Sequence, residues 1–167
     1  MADAFISAVF RACAIVPNER RFDLTIRAAE MNDATALAQL MCELGYETTK
    51  SEMQARLEEI AADERYRTFV AVHGGNVCGM IGTVTSPSYE HNDPGGRILA
   101  LATSSTMRRR GIGRALIAIA EQDFARRGIN RVALNTQFAR ENAHKFYESL
   151  GYERNGWRFV KQLSVCD

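Results

Sequence analysis

A chain of 167 residues, of which 46% are apolar and 25% charged, has the size and composition of one globular domain that folds without disulfide bridges or a metal. Its formal charge of +1 argues against a protein that holds nucleic acid by overall charge, so any basic patch must be local. The four cysteines (Cys13, Cys42, Cys78 and Cys166) contain no CxxC pair, which predicts reduced thiols, at least three of them buried, and neither a zinc site nor a redox motif.

Residues 1–21 are predicted to form an N-terminal extension that could be helical. No basic residue precedes its apolar stretch, and Arg11 interrupts it, so a secretory signal is not indicated. No other apolar run approaches the length of a membrane span. We therefore expect a cytoplasmic protein without a membrane partner, whose extension packs on its own domain or on the second subunit of a homodimer.

The first half of the remaining chain predicts a strand, two helices and two further strands. Alternating apolar and polar residues in Phe22–Arg27 indicate a half-buried strand. Asn32 or Asp33 can then cap a helix that ends at Gly45, and Thr49 with Glu52 forms a capping box for a second helix. The apolar face of the first helix carries Leu37, Leu40, Met41 and Leu44. Strands follow at Thr68–Val72 and from Val77 to about Thr85, joined by a tight turn.

The second half begins with a loop, residues 86–96, and continues with alternating strands and helices. The strand Arg97–Thr103 is apolar in its middle, which predicts burial on both faces. Asn155–Gly156 lies between two strand-like runs within residues 152–163, the strongest short-range signal for a β-hairpin. The other predicted elements are a helix over Gly111–Arg127, a strand over Arg131–Leu134 and a helix over Glu141–Leu150. Residues 22–167 are thus predicted to form one mixed α/β domain with antiparallel and parallel pairing.

The segment from Thr106 to Leu116 follows a buried strand and opens a helix. Free backbone N–H groups and the helix dipole attract phosphate at such a position, and Gly111 and Gly113 let a ligand approach the backbone closely. Arg108, Arg109, Arg110 and Arg114 add positive charge there. Leu116 stands where a dinucleotide fingerprint needs a third glycine, and the Lys-Ser/Thr pair of a P-loop is absent. A solvated basic turn remains the alternative interpretation.

A second informative segment runs from Ala143 to Tyr152. Ala143, Phe146 and Leu150 share one helical face, and Tyr147 is turned to its side. Taken alone, a tyrosine at this position is more often a core residue than a functional one.

Together the two segments resemble the GNAT superfamily of N-acetyltransferases. Its acyl-CoA motif, Arg or Gln, two residues, Gly, one residue, then Gly or Ala, is matched by Arg108, Gly111 and Gly113. Its downstream motif, Ala, two residues, Phe-Tyr, then Leu-Gly-Phe or Leu-Gly-Tyr, is matched from Ala143 to Tyr152. The resemblance implies one N-acetyltransferase domain over residues 22–167, with a twisted mixed sheet of about six to seven strands, four flanking helices and central strands splayed around acyl-CoA.

The resemblance also implies roles for particular residues, with acetyl-CoA as co-substrate and no metal. The pyrophosphate of CoA would lie on the backbone N–H groups from Arg109 to Arg114, that is Arg109, Arg110, Gly111, Ile112, Gly113 and Arg114, with Arg108 beside them. The pantetheine arm would pair with Leu101, Ala102 and Thr103. The N–H of Thr103 would stabilise the oxyanion, and Tyr147 would protonate the leaving thiolate. Asn142, Lys145 and Phe146 would line the CoA site near Tyr147.

The sequence departs from the family pattern in two places. Arg140 stands where many members carry asparagine, and the nearby Asn142 is not equivalent to that residue. Arg97 stands near the place of a strand glutamate in other members, and no carboxylate lies in that strand, so the general base stays open. Base candidates are residues of the loop before that strand, residues after the first helix, or a water molecule. The protein candidates are Glu90, His91, Asp93, Glu43 and Glu47.

The acceptor is expected to be a primary amine of a small molecule or peptide. Acidic residues in the first two helices would suit a cationic amine, and the run Leu44-Gly45-Tyr46 resembles a subgroup compared with aminoglycoside-type acetyltransferases. Two other interpretations stay open: a catalytically silent CoA-binding regulatory module, and a nucleic-acid-binding domain that uses Arg108–Arg110 and Arg126–Arg127. Neutral net charge disfavours the second, so no nucleic-acid partner is expected.

Overall fold

The computed structural model describes residues 10–11 and 22–163. These form a mixed α/β fold in which one sheet carries helices on both faces. The strands are β1 (Phe10–Arg11), β2 (Thr25–Ala28), β3 (Tyr66–His73), β4 (Asn76–Ser86), β5 (Gly95–Thr103) and β6 (Val132–Leu134). The helices are α1 (Ala34–Glu43), α2 (Lys50–Ala61), α3 (Ile112–Arg126) and α4 (Glu141–Glu148), with 3-10 turns at Met31–Asp33 and Ser105–Met107.

The strands lie in sequence order, β1 to β6, and each of β1 to β5 pairs antiparallel with its neighbour. Gly74 and Gly75, at φ 56° and 80°, make the predicted tight turn between β3 and β4. Residues 22–163 contribute five strands, and β1 adds two residues, so the sheet has fewer strands than the upper predicted count. Of the predicted N-terminal extension, only this short strand lies within the described residues, and the possible helix lies outside them.

Helices cover both faces of the sheet, and the side chains of β4, which point to the two faces in turn, show which helix lies on which face. Met80 belongs to the buried cluster that α1 and α2 form with the sheet, together with Leu37, Leu40, Met53, Leu57 and Val70. Its neighbour Gly79 faces α3 instead, since a Cβ added there would lie 2.9 Å from Ile112 Cγ2. Successive residues of a strand point to opposite faces, so α3 packs on the side away from α1 and α2.

Local signals placed most helix boundaries correctly. Asp33 is the residue before α1, and the Thr49–Glu52 capping box is present at α2, where the Glu52 carboxylate accepts the Thr49 N–H at 2.7 Å. Gly128, at φ 73°, follows the end of α3. Of the two cysteines within the described residues, Cys78 is buried and Cys42 is exposed.

Two predictions for the sheet are wrong. Strand β5 is not buried on both faces, since Arg97 is exposed and the side chain of Leu99 is 54% exposed. Residues 152–163 contain no strand, so the hairpin at Asn155–Gly156 is absent. A two-stranded hairpin is marginal by itself, and the apolar residues that flank this turn are not buried: Trp157 is 76% and Phe159 93% exposed.

The chain divides into two compact units, which meet in sequence between Ala133 and Leu134. The first unit holds β1 to β5 and α1 to α3. The second holds α4, which is followed by a turn with Gly151 at φ 89°. None of the helices within the described residues combines the length and the apolar character needed to cross a membrane.

Candidate active site

The N-terminus of α3 begins at a glycine. Its N-cap residue is Gly111, at φ 79°, which has no side chain to cap the first turn. A Ser, Thr or Asp at this position would accept the N–H of the second or third helical residue, which here are Gly113 and Arg114. Gly111 provides no such cap, and the helix dipole adds positive potential around these N–H groups. This arrangement fits an anion such as a pyrophosphate.

The backbone before α3 is held in an unusual conformation. Arg109 has φ 62°, and it is the only residue other than glycine with a positive φ among the described residues. This conformation costs an L-residue about 1–2 kcal/mol. Such strain recurs at ligand-binding loops, where successive N–H groups form a concave anion site. The segment Arg108–Gly113, which we call the phosphate loop after the pyrophosphate predicted to bind there, contains this left-handed residue.

Two arginines of the phosphate loop are engaged within the protein. Arg108 Nη2 lies 3.9 Å from the Glu43 carboxylate, and the Arg110 guanidinium lies 5.7 Å from the centre of the Phe22 ring. The basic run is therefore not simply a row of solvated charges. Arg127, from the second basic pair, is also engaged: it donates to Thr85 Oγ1 at 2.7 Å and lies 3.6 Å from Asp123. These contacts disfavour a surface shaped for nucleic acid.

Glu43, one of the candidate bases, connects α1 to the segment before the phosphate loop. Its carboxylate accepts the backbone N–H of Ser105 at 2.5 Å and the Ser104 hydroxyl at 3.5 Å, in addition to the Arg108 contact. Sixty-two positions separate Glu43 from Ser105 in the chain. A carboxylate that accepts several hydrogen bonds is a better anchor than a proton acceptor. Sequence reasoning missed this role because no local pattern reports a contact over that separation.

We expect two substitutions of Glu43 to show whether its carboxylate anchors the segment at Ser105 or acts as the general base. Glu43→Gln keeps an oxygen for the Ser105 N–H, so turnover is expected to stay within a few-fold. Glu43→Ala should raise the KM for acetyl-CoA and lower stability by about 1–2 kcal/mol, because a charged hydrogen bond on a partly exposed group is lost. Steady-state kinetics and melting temperature test this. A drop in kcat of about a hundredfold or more in Glu43→Gln, with melting unchanged, would instead identify the base.

The other base candidates lie in less distinctive surroundings. Asp93 forms an ion pair with Arg131 at 3.2 Å, and Glu90 and His91 lie in an exposed turn whose N–H groups donate to Ser88 Oγ. Glu47 is exposed. Within the described residues, no group of three His, Cys, Asp or Glu side chains is arranged to bind a metal.

Strand β5 carries the predicted pantetheine residues and, before them, a β-bulge. Ala102 and Thr103 pair with Met80 and Gly79 of β4, and Leu101 pairs with Ile81. The pairing register shifts at Leu99: Gly82 pairs with Ala100 and Thr83 pairs with Ile98, so Leu99 has no pairing partner on β4. Bulges redirect side chains and are common beside active sites. The sequence carried no sign of this irregularity.

The second unit presents Tyr147 on α4. Its ring lies 5.2 Å from Phe146 and 5.9 Å from Tyr152, both edge-on. Burial raises the pKa of Tyr147, and the Arg140 charge opposes this. The phenol is therefore protonated at neutral pH, as a proton donor must be. Of the other predicted CoA residues here, Asn142 and Lys145 are exposed and Phe146 is half-buried.

The sequence profile described as "Acetyltransferase (GNAT) family" matches residues 34–152, from the start of α1 to the end of the Tyr147 motif. The chain belongs to the GNAT family. The predicted resemblance is confirmed, and the mixed α/β fold is confirmed with a lower strand count. The protein is an acyl-CoA-dependent N-acyltransferase, and GNAT acetyltransferases use acetyl-CoA as their co-substrate.

Individual relatives agree with this assignment. The aminoalkylphosphonate N-acetyltransferase of Salmonella typhimurium is 32% identical over 143 residues, which are 83% of this chain and 90% of the relative. A solved GNAT family acetyltransferase from Staphylococcus aureus has a TM-score of 0.73 and 26% identity, and covers 84% of this chain and 98% of its own. A solved transcriptional regulator from Bacillus halodurans has a TM-score of 0.78 at 23% identity, with 84% and 99% covered, a likeness that shows the fold alone.

Proposed function

We propose that this GNAT protein transfers the acetyl group of acetyl-CoA to a primary amine of a small molecule or peptide by direct attack. The glycine-started N-terminus of α3 carries the proposal, because a helix start without an N-cap side chain directs backbone N–H groups and the helix dipole towards a pyrophosphate. The relative from Salmonella typhimurium is named for a small amine acceptor, which supports a small molecule as the first acceptor class to test.

In the proposed reaction the neutral amine attacks the thioester carbonyl, a C–N bond forms, and the C–S bond then breaks. The Thr103 N–H stabilises the oxyanion, and Tyr147 gives its proton to the departing thiolate. The amine nitrogen loses a proton to a base or to water. An alkylamine has a pKa of about 10.4, so at pH 7 its neutral form makes up less than about one part in a thousand. Bringing the bound amine fully into its neutral form would therefore lower the barrier by roughly 4–5 kcal/mol.

Binding of the co-substrate has a direct test. Acetyl-CoA at a hundredfold excess over its Kd is expected to raise the free energy of unfolding by about 2.7 kcal/mol, because it binds the folded chain alone. For a chain of this length the melting temperature should rise by about 5–11 °C. No shift with acetyl-CoA or CoA would contradict the proposed CoA site.

Release of CoA in the presence of a panel of amines tests catalysis itself. The enzyme is expected to release CoA with at least one amine. A melting shift with acetyl-CoA and no release from any amine would instead indicate the catalytically silent CoA-binding module that the sequence left open.

A further inference from the structure

A cavity of about 140 Å³ lies within the first unit, between α2 and strands β3 to β5, and no role proposed above uses it. Its lining is almost entirely apolar and includes the buried side chains of Met53, Leu57 and Met80. An apolar cavity of roughly 150 Å³ in a protein core is large enough to hold a benzene molecule. The cavity therefore fits an apolar group of about that size.

A row of small residues on the sheet opens this cavity. Thr68, Gly82 and Ala100 pair across β3, β4 and β5, so all three lie on the same face of the sheet. Met80, two residues from Gly82 along β4, shares that face and belongs to the buried cluster formed with α1 and α2. A Cβ added at Gly82 would have no atom beyond its chain neighbours within 4 Å. Part of the cavity is therefore the space that a side chain at position 82 would fill.

The cavity offers no charge to a ligand, although two arginines border it. Arg67 directly precedes Thr68 in β3, so its side chain points to the opposite face of the sheet. Arg56 is exposed, its Nη1 donates to Thr48 Oγ1 at 3.1 Å, and three glutamates share helix α2 with it. No Asp or Glu lines the cavity. A charged group placed there would lose its hydration without gaining an ion pair, which favours an apolar occupant.

The cavity borders the strand on which acyl transfer is proposed. Ala100 lines it and directly precedes Leu101–Thr103, the predicted pantetheine segment. A strand advances about 3.4 Å per residue, so the cavity lies about 3–10 Å from this segment along β5. The phosphate loop opens α3, which packs on the other face of the sheet. An amine that approaches from the cavity would thus reach the thioester from a side that the proposed CoA site leaves free.

The cavity also borders solvent. Leu99, the bulge residue of β5, lines it and is 54% exposed. A molecule from solution can therefore enter beside Leu99 without passing through the CoA site. The methyl group of an acetyl thioester is much smaller than the cavity, so the acetyl donor by itself would leave most of this space empty.

We propose that this cavity binds the apolar end of the acyl acceptor, and that the acceptor is a primary amine joined by a short alkyl arm to an aryl or branched alkyl group. The apolar group lies over Gly82 and Ala100, against Leu57 of α2. The arm then brings the amine to β5 at Leu101–Thr103. The inference rests on the proposed acetyl transfer and names the class of its acceptor. An acidic group at that end of the amine would find no counter-charge in the cavity.

Amines with the same two-carbon arm test the class of acceptor. Phenylethylamine, ethanolamine, ethylenediamine and aminoethylphosphonate are compared by CoA release at saturating acetyl-CoA. We expect kcat/KM for phenylethylamine to exceed that for each of the others by about tenfold to a hundredfold, the scale of burying one large apolar side chain. A higher kcat/KM for any of the three polar amines would overturn the inference and leave the proposed acetyl transfer intact.

Filling the cavity at Gly82 tests the site. Gly82 has no left-handed φ, so a side chain is accommodated there without backbone strain. Gly82→Val should lower kcat/KM for phenylethylamine by about tenfold or more, and Gly82→Ala should have a smaller effect. The melting temperature should not fall, because a β-branched residue suits a strand better than glycine. The KM for acetyl-CoA and kcat/KM for ethanolamine should change by no more than a few-fold.

Gly95→Val is the matched control, since Gly95 also lies in the sheet with open space around an added Cβ but does not line the cavity. It should leave kcat/KM for all four amines unchanged. Unchanged kcat/KM for phenylethylamine in a folded Gly82→Val variant, or an equal loss for every amine, would overturn the assignment. So would a loss in Gly82→Val that appears only when benzoyl-CoA replaces acetyl-CoA, because the cavity would then hold the acyl group of the donor.

Calorimetric binding of phenylethylamine in the presence of CoA separates the two proposals. Binding that weakens in Gly82→Val and not in Gly95→Val, together with no CoA release from any amine, would support the cavity and contradict acetyl transfer. CoA release from polar amines without detectable binding of phenylethylamine would support acetyl transfer and contradict the cavity.

Discussion

Replacing Gly113 by valine is expected to weaken CoA binding by more than about a hundredfold while the protein stays folded. Gly113 is the second residue of α3, and its N–H lacks a side-chain cap. A β-branched side chain there would stand between the N–H groups and the pyrophosphate. Two lost hydrogen bonds to a charged group, at about 1.5–3 kcal/mol each, exceed the ~2.7 kcal/mol that a hundredfold represents.

The fold should tolerate this change because Gly113 is only partly buried and lies in the first helical turn. Ala118→Val is the matched control, since it places the same side chain on an exposed position of the same helix away from its N-terminus. Titration calorimetry with CoA and thermal melting are the measurements. A folded Gly113→Val variant that keeps its CoA affinity would mean that the pyrophosphate binds elsewhere.

Replacing Tyr147 by phenylalanine is expected to lower turnover by about tenfold to a thousandfold. This range is the contribution to turnover that is usual for a positioned general acid. Its lower end is reduced because a thiolate of pKa about 8.5 already leaves readily. Stability should fall by no more than about 1 kcal/mol, since the ring contacts remain and only the hydroxyl is removed. The affinity for CoA should change by no more than a few-fold.

Tyr152→Phe serves as the control, because it removes a hydroxyl from the tyrosine ring next to Tyr147 in the same unit. Its turnover should match the wild type. Because burial raises the pKa of Tyr147, the proton donor is retained at neutral and mildly alkaline pH, and the wild type should show no loss of turnover from this group in that range. Unchanged turnover in Tyr147→Phe, with CoA still bound, would leave Tyr147 a structural residue.

The sequence alone determined those features that depend on a few neighbouring residues. The Thr49–Glu52 capping box, the glycine start of α3 at Gly111 and its end at Gly128 were all predicted and are present. Each follows from backbone hydrogen bonds or positive φ angles within one helical turn, which side chains at fixed spacing control directly. The two family motifs could be recognised for the same reason, since each is a short run of residues.

Only the tertiary structure decided the features that need elements far apart in the chain. The contact of Glu43 with Ser105 and the bulge at Leu99 depend on how the helices and strands pack together. The hairpin at Asn155–Gly156 failed for a related reason: its turn residues were suitable, but a hairpin needs a buried face to persist, and burial is a property of the packed chain rather than of the local sequence.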